Sequence, residues 1–95
     1  MEFDWNNLPF NLDGSLTQRE IEESFEDPFA IKVLPDSARF ALQARFMNLG
    51  MSASGIGIFS VYRTNGKQVR LIYCRPFEPD ERFFYQRKME QTLAK

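Results

Sequence analysis

The dipeptide Asn65-Gly66 stands between two runs of alternating residues, and it limits what this chain can fold into more than any other feature. Both residues tolerate positive φ, and the twist this gives the turn suits the twist of flanking strands, so the pair predicts a β-hairpin. Alternation puts Ile56, Ile58, Ser60 and Tyr62 on one side of the first strand and Phe59, Val61 and Arg63 on the other. In the second strand it groups Val69, Leu71 and Tyr73 on one face and Arg70, Ile72 and Cys74 on the opposite one. Two mostly apolar faces predict central strands covered on both sides. A charge at Arg70 inside such a strand must be paired or must line a groove. Pro76 stops the second strand. Pro79 then suits the first turn of a helix running from about Pro79 to Leu93, with Tyr85, Met89 and Leu93 in an i, i+4, i+8 stripe and Phe83 and Phe84 beside it.

The rest of the chain supplies short elements around that hairpin. Glu2–Trp5 alternates as an edge strand does. Thr17-Gln18-Arg19-Glu20 matches a capping box, which starts a helix from Thr17 to Glu26 with Ile21 and Phe25 on its apolar stripe. Asp27-Pro28 ends it, because the residue before proline avoids the α region. Phe29–Leu34 and Gln43–Met51 read as strands, Ala38–Leu42 fits either one helical turn or strand, and Met51–Gly55 has loop chemistry. The order β-α-β-β-β-β-α predicts an α+β fold, a small mostly antiparallel sheet of about five strands with two helices, in one domain over residues 1–95.

Composition removes several functions. The chain has no histidine, so the commonest general base and the commonest metal ligand are both missing. Cys74 as the single cysteine argues further against a zinc site and rules out an internal disulfide, and the missing histidine rules out the usual Ser-His-Asp or Cys-His nucleophile systems. Alternation groups Cys74 with Ile72, as a buried thiol. No apolar run is long enough to span a bilayer and the acidic start MEFDWNN lacks a targeting segment, so a cytoplasmic protein without membrane contact is expected. The net charge of −1 conceals a division: residues 1–36 hold nine acids and two bases, and residues 37–95 hold four acids and ten bases. A basic sheet under an acidic cover can bind a polyanion on one side; alternatively the two halves neutralise each other across the fold.

The run Arg70-Leu71-Ile72-Tyr73-Cys74-Arg75-Pro76, then Glu81-Arg82 and Tyr85, resembles the C-terminal signature of the BrnT family of toxins, Arg-hydrophobic-Ile-Ser-x-Arg followed by Glu-Arg and Tyr. Leu49-Gly50-Met51-Ser52, the strand ending in Val61-Tyr62, and the order Phe3, Trp5, Gly14, Phe25, Asp27-Pro28 also fit, so the resemblance covers most of the chain. Leu12-Asp13-Gly14 stands where the family commonly has Lys-His-Gly, and Tyr73 stands in place of the motif's serine. The resemblance implies a fold similar to the RelE-like ribonuclease toxins, cleavage of RNA that needs no metal or other cofactor, a block of translation, and neutralisation by a BrnA-like antitoxin, a small ribbon-helix-helix DNA-binding protein.

Metal-free RNA cleavage requires charge stabilisation at phosphorus and a proton carrier. Arginine suits the first task through its bidentate fork, and with a pKa above about 12 it is a poor base. Arg70 and Arg75 are therefore assigned to the phosphate, Glu81 to the proton or to orienting an arginine, and Tyr85 to a hydrogen bond or a base stack. Tyr73, Tyr85 and an acid near Asp13 are further candidates for the proton. Arg45, Arg63, Lys67 and Tyr73 extend the surface for RNA. Five residues separate Arg70 from Arg75, so an unbroken strand puts them on opposite faces; they share one only if Arg75 lies past the strand end or a bulge intervenes. Arg75 and Glu81 can instead form an ion pair tying the last strand to the last helix. Two rival readings remain at this stage: a noncatalytic module that binds a partner protein, and a nucleic-acid binder without cleavage.

Overall fold

The structure, a computed structural model, describes residues 2–6, 8, 12, 16–33 and 45–94. The expectations for Asp13 and for Ala38–Leu42 lie outside the described residues. The elements are β1 (Glu2–Asp4), α1 (Gln18–Glu26), β2 (Ile31–Val33), β3 (Phe46–Met51), β4 (Gly57–Thr64), β5 (Gln68–Pro76) and α2 (Pro79–Leu93). They form an α+β fold, with one five-stranded sheet in the order β1-β5-β4-β3-β2. Only β1 pairs in parallel, with β5; the other neighbours are antiparallel.

α1 begins where the capping box places it. Thr17 Oγ1 accepts the Glu20 N–H at 3.1 Å and Glu20 Oε2 accepts the Thr17 N–H at 3.1 Å. The helix lays Ile21, Ser24 and Phe25 on the sheet. There they join Leu16, Ile58, Tyr62, Val69, Leu71 and Cys74 in one core, with Phe3 and Trp5 packed at its side. Phe25 meets both Phe3 and Tyr62 edge to face, each with ring centroids 5.0 Å apart, a geometry that adds to the area term. Burying each such side chain contributes on the order of 1.5–3 kcal/mol. The approach is close enough that β3 needs a glycine: a Cβ at Gly50 would lie 1.8 Å from the Ser24 carbonyl oxygen. Beside it, buried Asn48 donates Nδ2 to the same oxygen at 3.2 Å, while its buried Oδ1 has no partner among the described residues.

The hairpin forms with a longer loop than a two-residue turn. Thr64 pairs with Val69, and Asn65, Gly66 and Lys67 lie between the two strands. Asn65 Oδ1 accepts the N–H groups of Lys67 and Gln68, both at 2.9 Å, and Gly66 takes φ 92°. The asparagine side chain thus stands in for a backbone acceptor and widens the turn.

Strict alternation fails in β5. Tyr62 pairs with Leu71 and Val61 with Tyr73, leaving Ile72 as an extra residue in a β-bulge. Val69 and Leu71 face α1, as does Cys74, which pairs with Ser60. Tyr73 is therefore separated from Val69 and Leu71 and turned to the outer face, where it is 44% exposed. Cys74 is buried as expected, but beside Ser60 in the α1 core. The cover predicted for both faces is incomplete: Phe59 and Val61 on the outer face are only half-buried.

α2 starts at Pro79, and β5 stops at Pro76, as the two prolines dictate. Its apolar stripe is buried at Tyr85, half-buried at Met89 and open at Leu93. Tyr85 is buried, whereas Phe83 is 67% and Leu93 65% exposed.

Candidate functional site

The face of the sheet turned away from α1 gathers the sequence-predicted residues of β4 and β5. The bulge puts Arg70, Tyr73 and Arg75 on that one face, which five-residue spacing in a regular strand forbids. Opposite them on β4 stand Arg63, Val61 and Phe59 respectively. The two ends of the row are four residue steps apart on β4, so Arg70 and Arg75 are about 13 Å apart along the strand. They lie on one face without meeting at one point.

At the hairpin end, Arg63 and Arg70 are direct cross-strand neighbours, an arrangement that like charges destabilise unless an anion sits between or beside them. One carboxylate is supplied. β1 pairs Asp4 with Arg70, and Asp4 Oδ2 accepts from Arg70 Nη2 at 3.3 Å. The Arg70 side chain is 70% exposed, so this pair is weak and solvent-screened. Among the described residues Arg63 is exposed and has no ion-pair partner. Asp4, Arg63, Thr64, Asn65, Gln68 and Arg70 line an open groove of about 220 Å³. Lys67 is exposed in the adjoining turn, and Arg45, exposed one residue before β3, is level with Arg63 by the strand register.

At the other end, Arg75 is fully engaged. Its Nη1 and Nη2 donate to the two oxygens of Glu81 at 2.6 and 2.8 Å, Nη1 also reaches the Pro76 carbonyl at 3.2 Å, and the guanidinium lies 4.4 Å over the Phe59 ring. The bidentate bond to Glu81 raises the Arg75 pKa above its ordinary value. Burial pushes the Glu81 carboxyl up, but the bonds from Arg75 and from the Glu78 N–H outweigh it and leave the pKa lowered. A carboxylate held this way is a weak proton acceptor. The ion-pair alternative for Arg75 and Glu81 is the arrangement found, and it fastens the start of α2 to β5.

Tyr85 is also committed elsewhere. It is 3% exposed, and its hydroxyl donates to Asp27 Oδ2 at 2.5 Å. Burial first, then the Asp27 carboxylate, raises its pKa well above the ordinary tyrosine value. A ring so placed offers no face to a base, so the base stack expected of Tyr85 is corrected to a structural tie. Asp27 is the hub of that tie, accepting the Met51 N–H at 2.8 Å and the Phe29 N–H at 2.9 Å as well.

Sequence reasoning missed Asp4 and Asp27 as partners. The alternation of acids with aromatics in β1 puts Asp4 on one face with Glu2, but nothing local says which strand it joins. Asp27 reads from sequence only as the residue that ends α1. No family model, no curated protein and no solved structure matches this chain.

Proposed function

We propose that this protein is a BrnT-like, RelE-like toxin of a type II toxin–antitoxin system, an endoribonuclease that cuts RNA without a metal in the cytoplasm and so blocks translation. A BrnA-like ribbon-helix-helix antitoxin is the partner this reading implies. The observation that carries it is the pairing of Arg63 and Arg70 across β4 and β5 around an open groove, with the Asp4 carboxylate against Arg70. Two guanidinium groups there suit the added negative charge of a phosphorane. With no histidine in the chain and Glu81 held by both nitrogens of Arg75, we assign the proton to Asp4, the carboxylate among the described residues that lines the arginine groove. The ribose 2′-hydroxyl passes its proton to Asp4 while its oxygen bonds to phosphorus; the bond from phosphorus to the 5′-oxygen breaks, and that oxygen takes a proton from water.

The test uses purified protein, free of any partner, with a long mRNA in EDTA. The wild type cuts; Arg70→Ala and Asp4→Asn lose cutting by about 100-fold or more, the range expected for an electrostatic or proton-transfer group. Intact RNA with folded wild-type protein refutes an autonomous enzyme. One observation favours a second reading, a noncatalytic module that binds a partner protein: Phe83, Phe84 and Leu93 leave much apolar surface of α2 exposed. That reading predicts a stable complex and no cutting.

A further inference from the structure

We infer that α2 is a dimerisation element: it pairs antiparallel with α2 of a second copy of this chain, across a two-fold axis between Tyr85 and Gln86, with Phe84 of each copy seated on Arg87 of the other. This does not rest on the ribonuclease reading; it concerns the side of α2 turned away from the sheet.

Three observations combine. The helix is fixed about its own axis by two ties on its inner side: Glu81 takes both Arg75 nitrogens at 2.6 and 2.8 Å, and one turn further on Tyr85 donates to Asp27. The opposite side is thereby held outward, with Phe83 67% and Phe84 42% exposed. On that side Asp80, Phe84, Arg87 and Gln91 recur at intervals of four, three and four, the spacing of a seam between paired helices, and all four are exposed. Finally, Phe84, Arg87, Lys88 and Gln91 line a mostly apolar groove of about 230 Å³. Their spacing, i, i+3, i+4 and i+7, marks the four corners of the hole that receives a side chain from a facing helix. The groove is apolar because the Phe84 ring and the stems of Arg87 and Lys88 build it, with Lys88 Nζ 5.9 Å from the ring centroid.

The seam carries its own complement, which is why the occupant is a second copy. In an antiparallel pair about that axis Asp80 faces the second copy's Gln91 and Phe84 faces the second copy's Arg87, and two-fold symmetry makes each contact twice. Phe83 lies beside the seam against the second copy's Lys88, so each exposed ring meets a cation. That Lys88 also lies one turn from Asp80, so unlike charges approach. A parallel pair would set Asp80 on Asp80 and Arg87 on Arg87. A partner of one charge sign would suit one end of the seam and repel the other. Because the ties to Arg75 and Asp27 already order the helix, pairing costs little further entropy. From Asp80 to Gln91 the seam covers about 16 Å of helix. An interface that short makes a weak, concentration-dependent dimer.

Sedimentation velocity of the full chain over a range of concentrations, without RNA, reads the dimer. Wild type passes from monomer to dimer in the micromolar range. Phe84→Ala weakens pairing about 10-fold or more, because the ring–cation contact is lost twice per dimer. Circular dichroism shows the variant folded, since Phe84 lies outside the core. A cross-link then reads the direction of pairing. On oxidation the double variant Asp80→Cys, Gln91→Cys gives a covalent dimer on a non-reducing gel; neither single variant does, and mixing the two single variants restores the cross-link. Buried Cys74 is common to all of them and sets the background. A chain that stays monomeric at every concentration, or a dimer that Phe84→Ala leaves unchanged, overturns the proposal. So does a dimerising chain whose double variant fails to cross-link, or whose single variants cross-link as well as the double one. RNA cutting stands or falls on its own assay in every case.

Discussion

Gly50→Ala tests the contact on which the α1 face of the sheet depends. The added Cβ would sit 1.8 Å from the Ser24 carbonyl oxygen, 2.8 Å from its carbon and 3.2 Å from Asn48 Nδ2. Two of these are backbone atoms of a helix, so no rotamer change relieves them. Restoring ordinary contact requires α1 to retreat by roughly 1.5 Å, and a gap of even half that size forfeits a quarter or more of each dispersion contact beneath it. Ile21 and Phe25 are among the side chains that lose packing. Overpacking of this kind costs about 1–3 kcal/mol, and stretching the buried Asn48–Ser24 bond costs about 1 kcal/mol more. The expected loss is about 3 kcal/mol, a large part of the ~5–15 kcal/mol that a domain of this size has. Urea unfolding followed by circular dichroism measures it, with the midpoint lowered and the slope unchanged; the corresponding fall in Tm is roughly 10–20 °C. A change below about 0.5 kcal/mol would refute the close approach of α1 to β3.

Tyr85→Phe removes one hydroxyl from Asp27 while leaving the Met51 and Phe29 amides on it, so stability falls by about 1–2 kcal/mol in the same unfolding measurement. RNA cutting per folded molecule stays unchanged if Tyr85 is a structural tie, and a loss of cutting at full folding would return it to the catalytic set. Burial pushes the Cys74 thiol up to about 11 from 9.0. The neutral thiol is the form the fold favours, so its contribution is whole below pH 9 and drains as pH rises to about 11, on the order of 2–3 kcal/mol. Cys74→Ala should flatten the fall of stability over that window, and an equal slope in wild type and variant counts against a buried thiol.

Much of the scaffold was legible locally. Thr17 and Glu20 start α1 through bonds within one turn of chain, and Asp27-Pro28 and Pro76 stop their elements through the steric limits of proline. Asn65 and Gly66 turn the hairpin for reasons contained in those residues. Alternation grouped Ile58, Ser60 and Tyr62 in β4, and Val69 with Leu71 in early β5, as the structure does, but it marked neither face as the core. What was not legible is where alternation breaks. A bulge inserts one residue, and one residue reverses every side chain beyond it. Ile72, Tyr73 and Cys74 look alike to a period-two pattern whichever of them is extra. The α1 core, which accepts Cys74 against Ser60 and expels Tyr73, decides among them.

The candidate site divides along the same line. Its arginines were named from their residue types, because the guanidinium fork is a property of the side chain alone. Their partners were fixed by pairings across the fold: Asp4 reaches Arg70 only because β1 joins β5 in parallel. Tyr85 finds Asp27 only because α2 begins beside the end of β3, where Met51 shares the same carboxylate. The sequence by itself determined the element order, the turns and the stock of cations. The tertiary structure alone decided which cations stay available and which are neutralised, because local signals act over a few bonds, whereas ion pairing and burial depend on residues that only folding makes neighbours.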